Sequence, residues 1–290
     1  MEPLVSAVIV THNRIDLLKA AVNSVLCQSW PALELIVVDD GSTDGTRSWM
    51  ESFAPSHRID YCRLPAPSGA NHARNTGILR AKGNYIALLD DDDEWLPEKI
   101  EKQVRLAEAD PAVGVVSCGR ITVFADGRTE TEDPAPLPEG DLSREIFTSL
   151  RFTSSRLLIR KDLLEQAGLF DESLRAWQDY ELMLRLSVLT RVGIVREGLV
   201  RYHVFPDDPG RISNQLEGWQ QAVAQIRVKY EDRLKALPRE TRRTFRLMVC
   251  RDGVARAARA HKPGARRRYL AGILLLQPTV ENLKILLHAF

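Results

Sequence analysis

Tyr85-Ile86-Ala87-Leu88-Leu89 runs directly into Asp90-Asp91-Asp92-Asp93. Five apolar residues in a row suit a strand buried on both faces, the pattern of a parallel sheet covered by helices. Four adjacent carboxylates repel one another, so a folded chain keeps them at a strand end only where solvent, a cation or basic partners compensate. The same design recurs upstream. Leu4–Val10 is apolar and β-branched and ends at Thr11-His12-Asn13-Arg14; Leu33–Val38 ends at Asp39-Asp40-Gly41-Ser42. Helical segments lie between. Leu17, Leu18, Ala21, Val22, Val25 and Leu26 share one helical face, with Asp16 expected as the N-cap. Ser42 to Phe53 reads as a helix and Ile59–Leu64 as a third strand. Ala70–Lys82 reads as a helix stopped by Gly83, and Pro97 is expected to open the next one. Strand and helix in alternation predict an α/β fold, a mostly parallel sheet flanked by helices. In such sheets ligands sit at the carboxyl ends of the strands, and three of those ends here carry polar clusters.

Farther along, Ala125–Asp141 is rich in Pro, Glu, Asp and Thr and reads as a mobile surface loop. Leu157–Ile159 is expected as a short strand, followed by a short helix closed by Gly168. Tyr180–Leu189 reads as helix and Val192–Tyr202 as extended chain. From Gln215 onward the pattern is helical, interrupted at Pro238, Pro263 and Pro278, which predicts a C-terminal helical appendage.

The apolar fraction of 44% and charged fraction of 27% in 290 residues are those of a chain that buries a core, which excludes a disordered scaffold. The net charge of +1 is unevenly spread: Arg239 to Arg268 holds eleven Arg or Lys against Glu240 and Asp252, a local net of +9. Such asymmetry points to an anionic contact for the tail. An anionic lipid surface is one expectation; a helical cap over the rest of the chain or a homodimer contact is the other. No nucleic-acid partner is expected. Cys27, Cys62, Cys118 and Cys250 are too scattered for a zinc site or a disulfide framework. With no signal sequence and no apolar run of spanning length, the expected location is cytoplasmic, with at most a peripheral contact at the inner face of the membrane.

Each motif has a plain reading beside the chemical one. The Asp90–Asp93 run is either a solvated acidic turn or a site for Mg²⁺ or Mn²⁺, which prefer oxygen ligands. Asp40-Gly41-Ser42-Thr43-Asp44-Gly45 nearly matches a calcium-binding loop, but a strand and not a helix leads into it, which rejects that assignment. Arg74 lies behind Gly69 at the start of a helix, where amides and a basic side chain can meet phosphate. On residue patterns alone Asp179 is a helix cap and His203 a structural histidine.

In combination these motifs resemble the inverting glycosyltransferases of family 2, which have the GT-A fold. The resemblance covers about Val5 to Ser213. It rests on Ser6-Ala7-Val8-Ile9-Val10-Thr11-His12-Asn13-Arg14, on Glu34-Leu35-Ile36-Val37-Val38-Asp39-Asp40-Gly41-Ser42, on Ala73-Arg74-Asn75-Thr76-Gly77, on Leu89-Asp90-Asp91-Asp92-Asp93-Glu94-Trp95-Leu96-Pro97, and on Gln178-Asp179. The resemblance implies nucleotide contacts at Thr11, Asn13, Arg14, Asp40, Arg74 and Asp91, with Asp40 toward the base. It implies a DxD metal site at Asp90 and Asp92, with Asp92 as the direct ligand. It makes Asp179 the catalytic base in place of a cap. Residues 1–213 would form the catalytic domain, with a nucleotide-sugar half to about 124 and an acceptor half over about 142–213; 214–290 would be the helical extension.

Two positions depart from the family pattern. Gln178 stands where an acid usually precedes the base, and Tyr202-His203-Val204-Phe205 replaces Tyr-Arg-x-His. The implied activity is metal-dependent transfer of a sugar, with inversion, from a nucleoside-diphosphate sugar to a hydroxyl of a carbohydrate or lipid-linked acceptor in surface-glycan synthesis. Mn²⁺ or Mg²⁺ would be the cofactor, and a uridine nucleotide is the family's commonest donor. The alternatives are a sugar-nucleotide-binding protein without catalysis and a nucleotidyltransferase; the latter lacks its Gly-rich loop here. A nicotinamide oxidoreductase is excluded because Thr11-His12-Asn13-Arg14 contains no glycine.

Overall fold

The structure, a computed structural model, describes residues 2–132, 138–205 and 215–287. By its internal contacts the chain divides into two compact units. The first comprises Met1–Ser143, Arg151–Glu172 and Leu182–Val204, and the second Arg144–Leu150, Ser173–Glu181 and Phe205–Phe290.

The first unit is an α/β layer structure. Strands β1 (Val5–Thr11), β2 (Leu33–Asp39), β3 (Asp60–Arg63) and β4 (Tyr85–Asp90) alternate with helices α1 (Ile15–Leu26), α2 (Thr46–His57) and α3 (Ala70–Arg80). After β4 come β5 (Asp93–Trp95), α4 (Lys99–Ala109), β6 (Val113–Val123), β7 (Thr129–Thr131), β8 (Leu158–Arg160), α5 (Lys161–Ala167), α6 (Gln178–Leu186) and β9 (Arg191–His203), with α6 running across the boundary of the two units. The sheet order is β3-β2-β1-β4-β8-β6-β9-β5, with β7 on β6. Pairing is parallel from β3 through β4 and between β6 and β9, and antiparallel around β8, β5 and β7. The parallel half carries the apolar runs read from the sequence, and β1 is buried along its whole length.

Helix α3 lies close on the sheet because Gly77 faces β1. A Cβ there would fall 2.4 Å from Val8 Cγ1, so any larger residue would push the helix outward. The buried faces of α1 and α4 (Leu18, Val22, Val25, Ile100 and Val104) complete the core with β1 and β2. Burying each such aliphatic side chain contributes about 1.5–3 kcal/mol.

Several expected boundaries move. Arg14, not Asp16, is the N-cap of α1, and the free amide of Ile15 is satisfied at long range by Asp44 Oδ2 at 2.9 Å. Asp44 Oδ1 also accepts from the Thr46 amide at 3.1 Å. One carboxylate thus serves two helix starts, and α2 begins at Thr46 in place of Ser42. Ala81, not Gly83, caps α3. Gly83 instead lies where a Cβ would meet Leu4 O at 2.7 Å. Pro97 precedes α4 by two residues, with Glu98 as N-cap. The expected loop 125–141 contains β7, turned back on β6 by Gly127 at φ +81°; residues 133–137 lie outside the described residues, as does most of the segment after Phe205. Helix α6 starts at Gln178 behind Trp177, whose φ is +55°.

The second unit is helical. Among its described residues are α7 (Leu216–Lys229), α8 (Glu231–Ala236), α9 (Arg239–Arg259), α10 (Pro263–Leu276) and α11 (Val280–Leu287). Pro238 is the N-cap of α9 and Pro263 the first residue of α10, where a missing amide costs nothing. Edge-to-face contacts join Trp219 to Trp177 and to Tyr269. Phe147 meets Tyr230 and Phe245 in the same manner. Among the described residues no helix is long and apolar enough to cross a membrane.

Lys99, fully buried at the start of α4, braces β5. Its ammonium donates to Gln103 Oε1 at 2.7 Å and sits 4.1 Å over the Trp95 ring. Burial pulls it from 10.5 down to about 8. Between those values the unfolded chain binds the extra proton, so this group makes stability rise as pH rises through the window. Comparing urea unfolding of wild type and Lys99→Met against pH isolates the effect. The wild type should gain roughly 3 kcal/mol on the variant between pH 7 and 10.5; parallel curves would mean Lys99 carries its charge without cost.

Candidate active site

The carboxyl ends of β1, β2 and β4 lie side by side because the strands are parallel and in register: Thr11 opposite Asp39, and Val10 opposite Asp90. Everything that follows each strand therefore gathers on one rim, the first unit's candidate site.

At its centre Asp90, Asp92 and Asp93 bring carboxylate oxygens within 4.8 Å of one another. Asp92 is 9% exposed and Asp93 3%, so water alone does not screen them. Two arginines compensate. Arg74 Nη2 donates to Asp90 Oδ1 at 2.7 Å, and the same guanidinium lies 5.5 Å from the Phe170 ring centroid. Arg14 Nη1 reaches Asp91 Oδ1 at 3.3 Å and Asp92 Oδ2 at 3.5 Å. The donor set is all oxygen and carries several negative charges, which fits Mg²⁺ or Mn²⁺ and not a soft metal.

Asp91 plays a different part from its neighbours. Its Oδ2 accepts from the Thr11 hydroxyl at 2.7 Å, and it is not among the three whose oxygens converge. Burial raises it to about 6, against the opposing pull of Arg14 and the Thr11 hydrogen bond. Thr11 is itself 3% exposed and its hydroxyl is committed to this bond. These two residues tie β1 to the acidic turn.

Asn13, at φ +54°, ties the first loop to the second. Its amide donates to Ser42 Oγ at 2.9 Å, and its Oδ1 accepts from the Thr43 amide at 2.7 Å. Asp39 is fully buried and accepts from the Ser42 amide and the Tyr61 hydroxyl; burial and that bond push the Tyr61 phenol up. Asp40 is 7% exposed. Its Oδ1 accepts from the Ser68 amide at 2.6 Å and its Oδ2 from the Gly69 amide at 2.8 Å. The sequence reading sent Asp40 to a nucleobase; its contacts here are to the loop leading into α3. Gly41, at φ +72°, leaves room for that loop, since a Cβ would meet Pro67 at 2.9 Å.

The rim thus brings Thr11, Asn13, Arg14, Asp40, Arg74, Asp90, Asp91 and Asp92 together. Asp179 belongs to the second unit, in the first turn of α6 and past its cap. The motifs do not single out four further contributors. Asp93 joins the carboxylate group, Ser42 and Asp39 fix the second loop, and Ser155 Oγ accepts from the Asp90 amide at 3.2 Å. Ser155 gave no signal, because only the pairing of β4 with β8 brings it near. His203 Nε2 lies 2.8 Å from Glu94 Oε1 across the β5–β9 pair, which locks the end of the acidic turn.

Comparison with known proteins settles the family. Residues 6–167 match the family described as Glycosyl transferase family 2. The chain belongs to that family. Over 104 residues it is 45% identical to the putative teichuronic acid biosynthesis glycosyltransferase TuaG of Bacillus subtilis, a stretch covering 36% of this chain and 41% of TuaG. The match thus spans less than half of that relative. In fold it is similar to TarS residues 1–349 of S. aureus, solved in complex with UDP, at a TM-score of 0.62 and 16% identity, covering 95% of this chain and 92% of that one. It is also similar to the mannosyltransferase PcManGT of Pyrobaculum calidifontis, solved with GDP-Man and Mn²⁺, at a TM-score of 0.66 and 21% identity, covering 99% and 79%. The GT-A architecture expected from the motifs is therefore the fold of this glycosyltransferase family member.

The Asp40 contacts make a direct test. Asp40→Ala leaves two loop amides without an acceptor, which costs about 1–3 kcal/mol where they stay dry. Urea unfolding should register a loss of that size; unchanged stability would show that the carboxylate does not hold the loop.

Proposed function

We propose that this glycosyltransferase transfers a sugar, with inversion, from a nucleoside-diphosphate sugar to an acceptor hydroxyl in surface-glycan synthesis. A uridine nucleotide is the favoured donor. The observation that carries the proposal is the rim on which Asp90, Asp92 and Asp93 converge beside Arg14 and Arg74. Support also comes from the UDP bound in TarS, from the GDP-Man and Mn²⁺ in PcManGT, and from the teichuronic acid role in the name of TuaG. In this proposal residues 1–213 are catalytic and 214–290 an appendage, and the acceptor is a carbohydrate or a lipid-linked sugar.

Asp92 and Asp90 are the residues that would hold Mn²⁺ or Mg²⁺, with Asp93 beside them. When bound, the cation supplies Lewis-acid neutralisation of charge on the diphosphate. The chain's own residues do the rest. Arg14 and Arg74, now engaged with carboxylates, are placed to exchange those partners for phosphate oxygens, a charge-assisted contact of similar strength. Thr11, Asn13 and Asp91 hold the loops against which the nucleotide lies, and Asp40 supports the base side through the 65–69 loop. Asp179 is assigned as the general base. Its carboxylate takes the proton of the acceptor hydroxyl as that oxygen attacks the anomeric carbon, and the bond to the diphosphate breaks on the opposite face. One displacement inverts the configuration, and general-base help of this kind contributes about 10²–10⁴ in rate.

Three measurements check the assignment. Exhaustive chelation should abolish transfer and Mn²⁺ or Mg²⁺ should restore it; full activity in the chelated protein would refute a metal-dependent reaction. Asp179→Asn keeps the side chain's shape but cannot take a proton, so turnover should fall at least about a hundredfold with nucleotide binding nearly intact. Asp92→Asn should weaken metal-dependent nucleotide binding as well as transfer. Near-normal turnover in Asp179→Asn would falsify the base assignment.

A further inference from the structure

The second unit contains a cavity of about 760 Å³ that the transfer reaction does not use. Its walls carry Arg227 from the end of α7, Lys235 from α8, and Arg239, Arg242, Arg243 and Arg246 from the first turns of α9. The apolar part of its lining is Leu234, Phe245, Leu275 and Leu276. The one acid in the lining, Glu231, is already bridged to Lys235 at 2.8 Å. Two of the arginines are anchored by backbone carbonyls. Arg242 Nη1 donates to Lys235 O at 2.8 Å and Arg243 Nε to Leu276 O at 2.7 Å. Arg227, Arg239 and Arg246 have no carboxylate partner among the described residues and are exposed. Five guanidiniums around one apolar hollow repel one another unless an anion joins them.

Next to the cavity mouth the surface is greasy. Leu275, which lines the cavity, is 85% exposed. Helix α11 follows after three residues, tied back by Asn282 Nδ2 to Gln277 O at 2.8 Å. None of its residues is buried, and Val280, Leu283, Ile285 and Leu287 are 43–71% exposed. A solvated eight-residue helix that leaves four large aliphatic side chains in water marks an interaction surface.

We propose that this end of the second unit is a binding site for an anionic phospholipid. The lipid phosphate enters the arginine-lined cavity, the guanidiniums bind its oxygens, and Leu275 with the α11 aliphatics enters the acyl boundary. A phosphate with an attached alkyl chain matches both halves of the surface at once: a cationic wall and an apolar lining and rim. A second copy of the chain matches it poorly, because a twofold contact through this face would bring two arginine clusters together. Among the described residues no helix is long and apolar enough to cross a membrane, so the proposed association is interfacial.

The test is co-sedimentation of the full chain with vesicles of phosphatidylcholine alone or doped with phosphatidylglycerol. Binding is expected only to the doped vesicles and should fall as salt rises. Arg227→Gln combined with Arg239→Gln and Arg246→Gln removes three charges that make no internal bond. Binding should drop about a hundredfold, each basic residue at such a surface contributing roughly fivefold. Leu283→Ser with Leu287→Ser touches no buried residue and should weaken binding at least about tenfold. Circular dichroism and nucleotide binding by both variants should match wild type. Four outcomes would overturn the proposal: equal binding to neutral vesicles, no effect of the arginine substitutions, sedimentation without vesicles that the substitutions abolish, and release when phosphate replaces chloride at equal ionic strength. The third would identify a self-association face and the last a site for free phosphate.

Discussion

Like charges concentrated at the end of one buried strand set the terms for the rest of the first unit. Asp90 to Asp93 cannot sit together behind β4 unless cations face them, and the fold supplies two from elements far away in sequence. Arg14 comes from the turn after β1 and Arg74 from the middle of α3. Both arrive because β1 and β4 are parallel neighbours and because Gly77 lets α3 lie close on β1. The carboxylates are thus gathered in a partly dehydrated, all-oxygen group that suits an oxygen-loving cation.

Around that centre the polar residues divide between support and chemistry. Asp39, Asp44 and Asp91 spend their oxygens on hydroxyls, backbone amides or a guanidinium, and by doing so fix three loops on one rim. Asp40 does the same for the approach to α3. Asp90, Asp92 and Asp93 bring oxygens within 4.8 Å of one another, with Arg74 on Asp90 and Arg14 on Asp92. In one short acidic run, then, Asp91 ties the turn to β1 while its neighbours converge.

The second unit is organised on another principle. Its interior is aromatic, with Trp219 and Phe147 as the hubs of edge-to-face contacts. Apart from Glu181 and Arg256, which are buried, much of its charge is exposed, and Arg239, Arg242, Arg243 and Arg246 of α9 line a partly apolar hollow.

The amino-acid sequence by itself determined the alternation of strands and helices, the parallel half of the sheet, the three polar strand ends and the helical tail. Each of these is written in local periodicity and in residues such as Gly168, Pro238 and Pro263 that act where they stand. The family was legible too, because its motifs are short and ordered along the chain. What tertiary structure alone decided is who partners whom. Asp44 replaced Asp16 at the start of α1, Asp40 turned to the amides of residues 68 and 69, Ser155 came to the backbone of Asp90, and Arg14 came between Asp91 and Asp92. The physical reason is range. A periodic pattern reports the face a residue buries, whereas a hydrogen bond or ion pair depends on strand order and register, which bring together residues as far apart as Glu94 and His203, 109 positions.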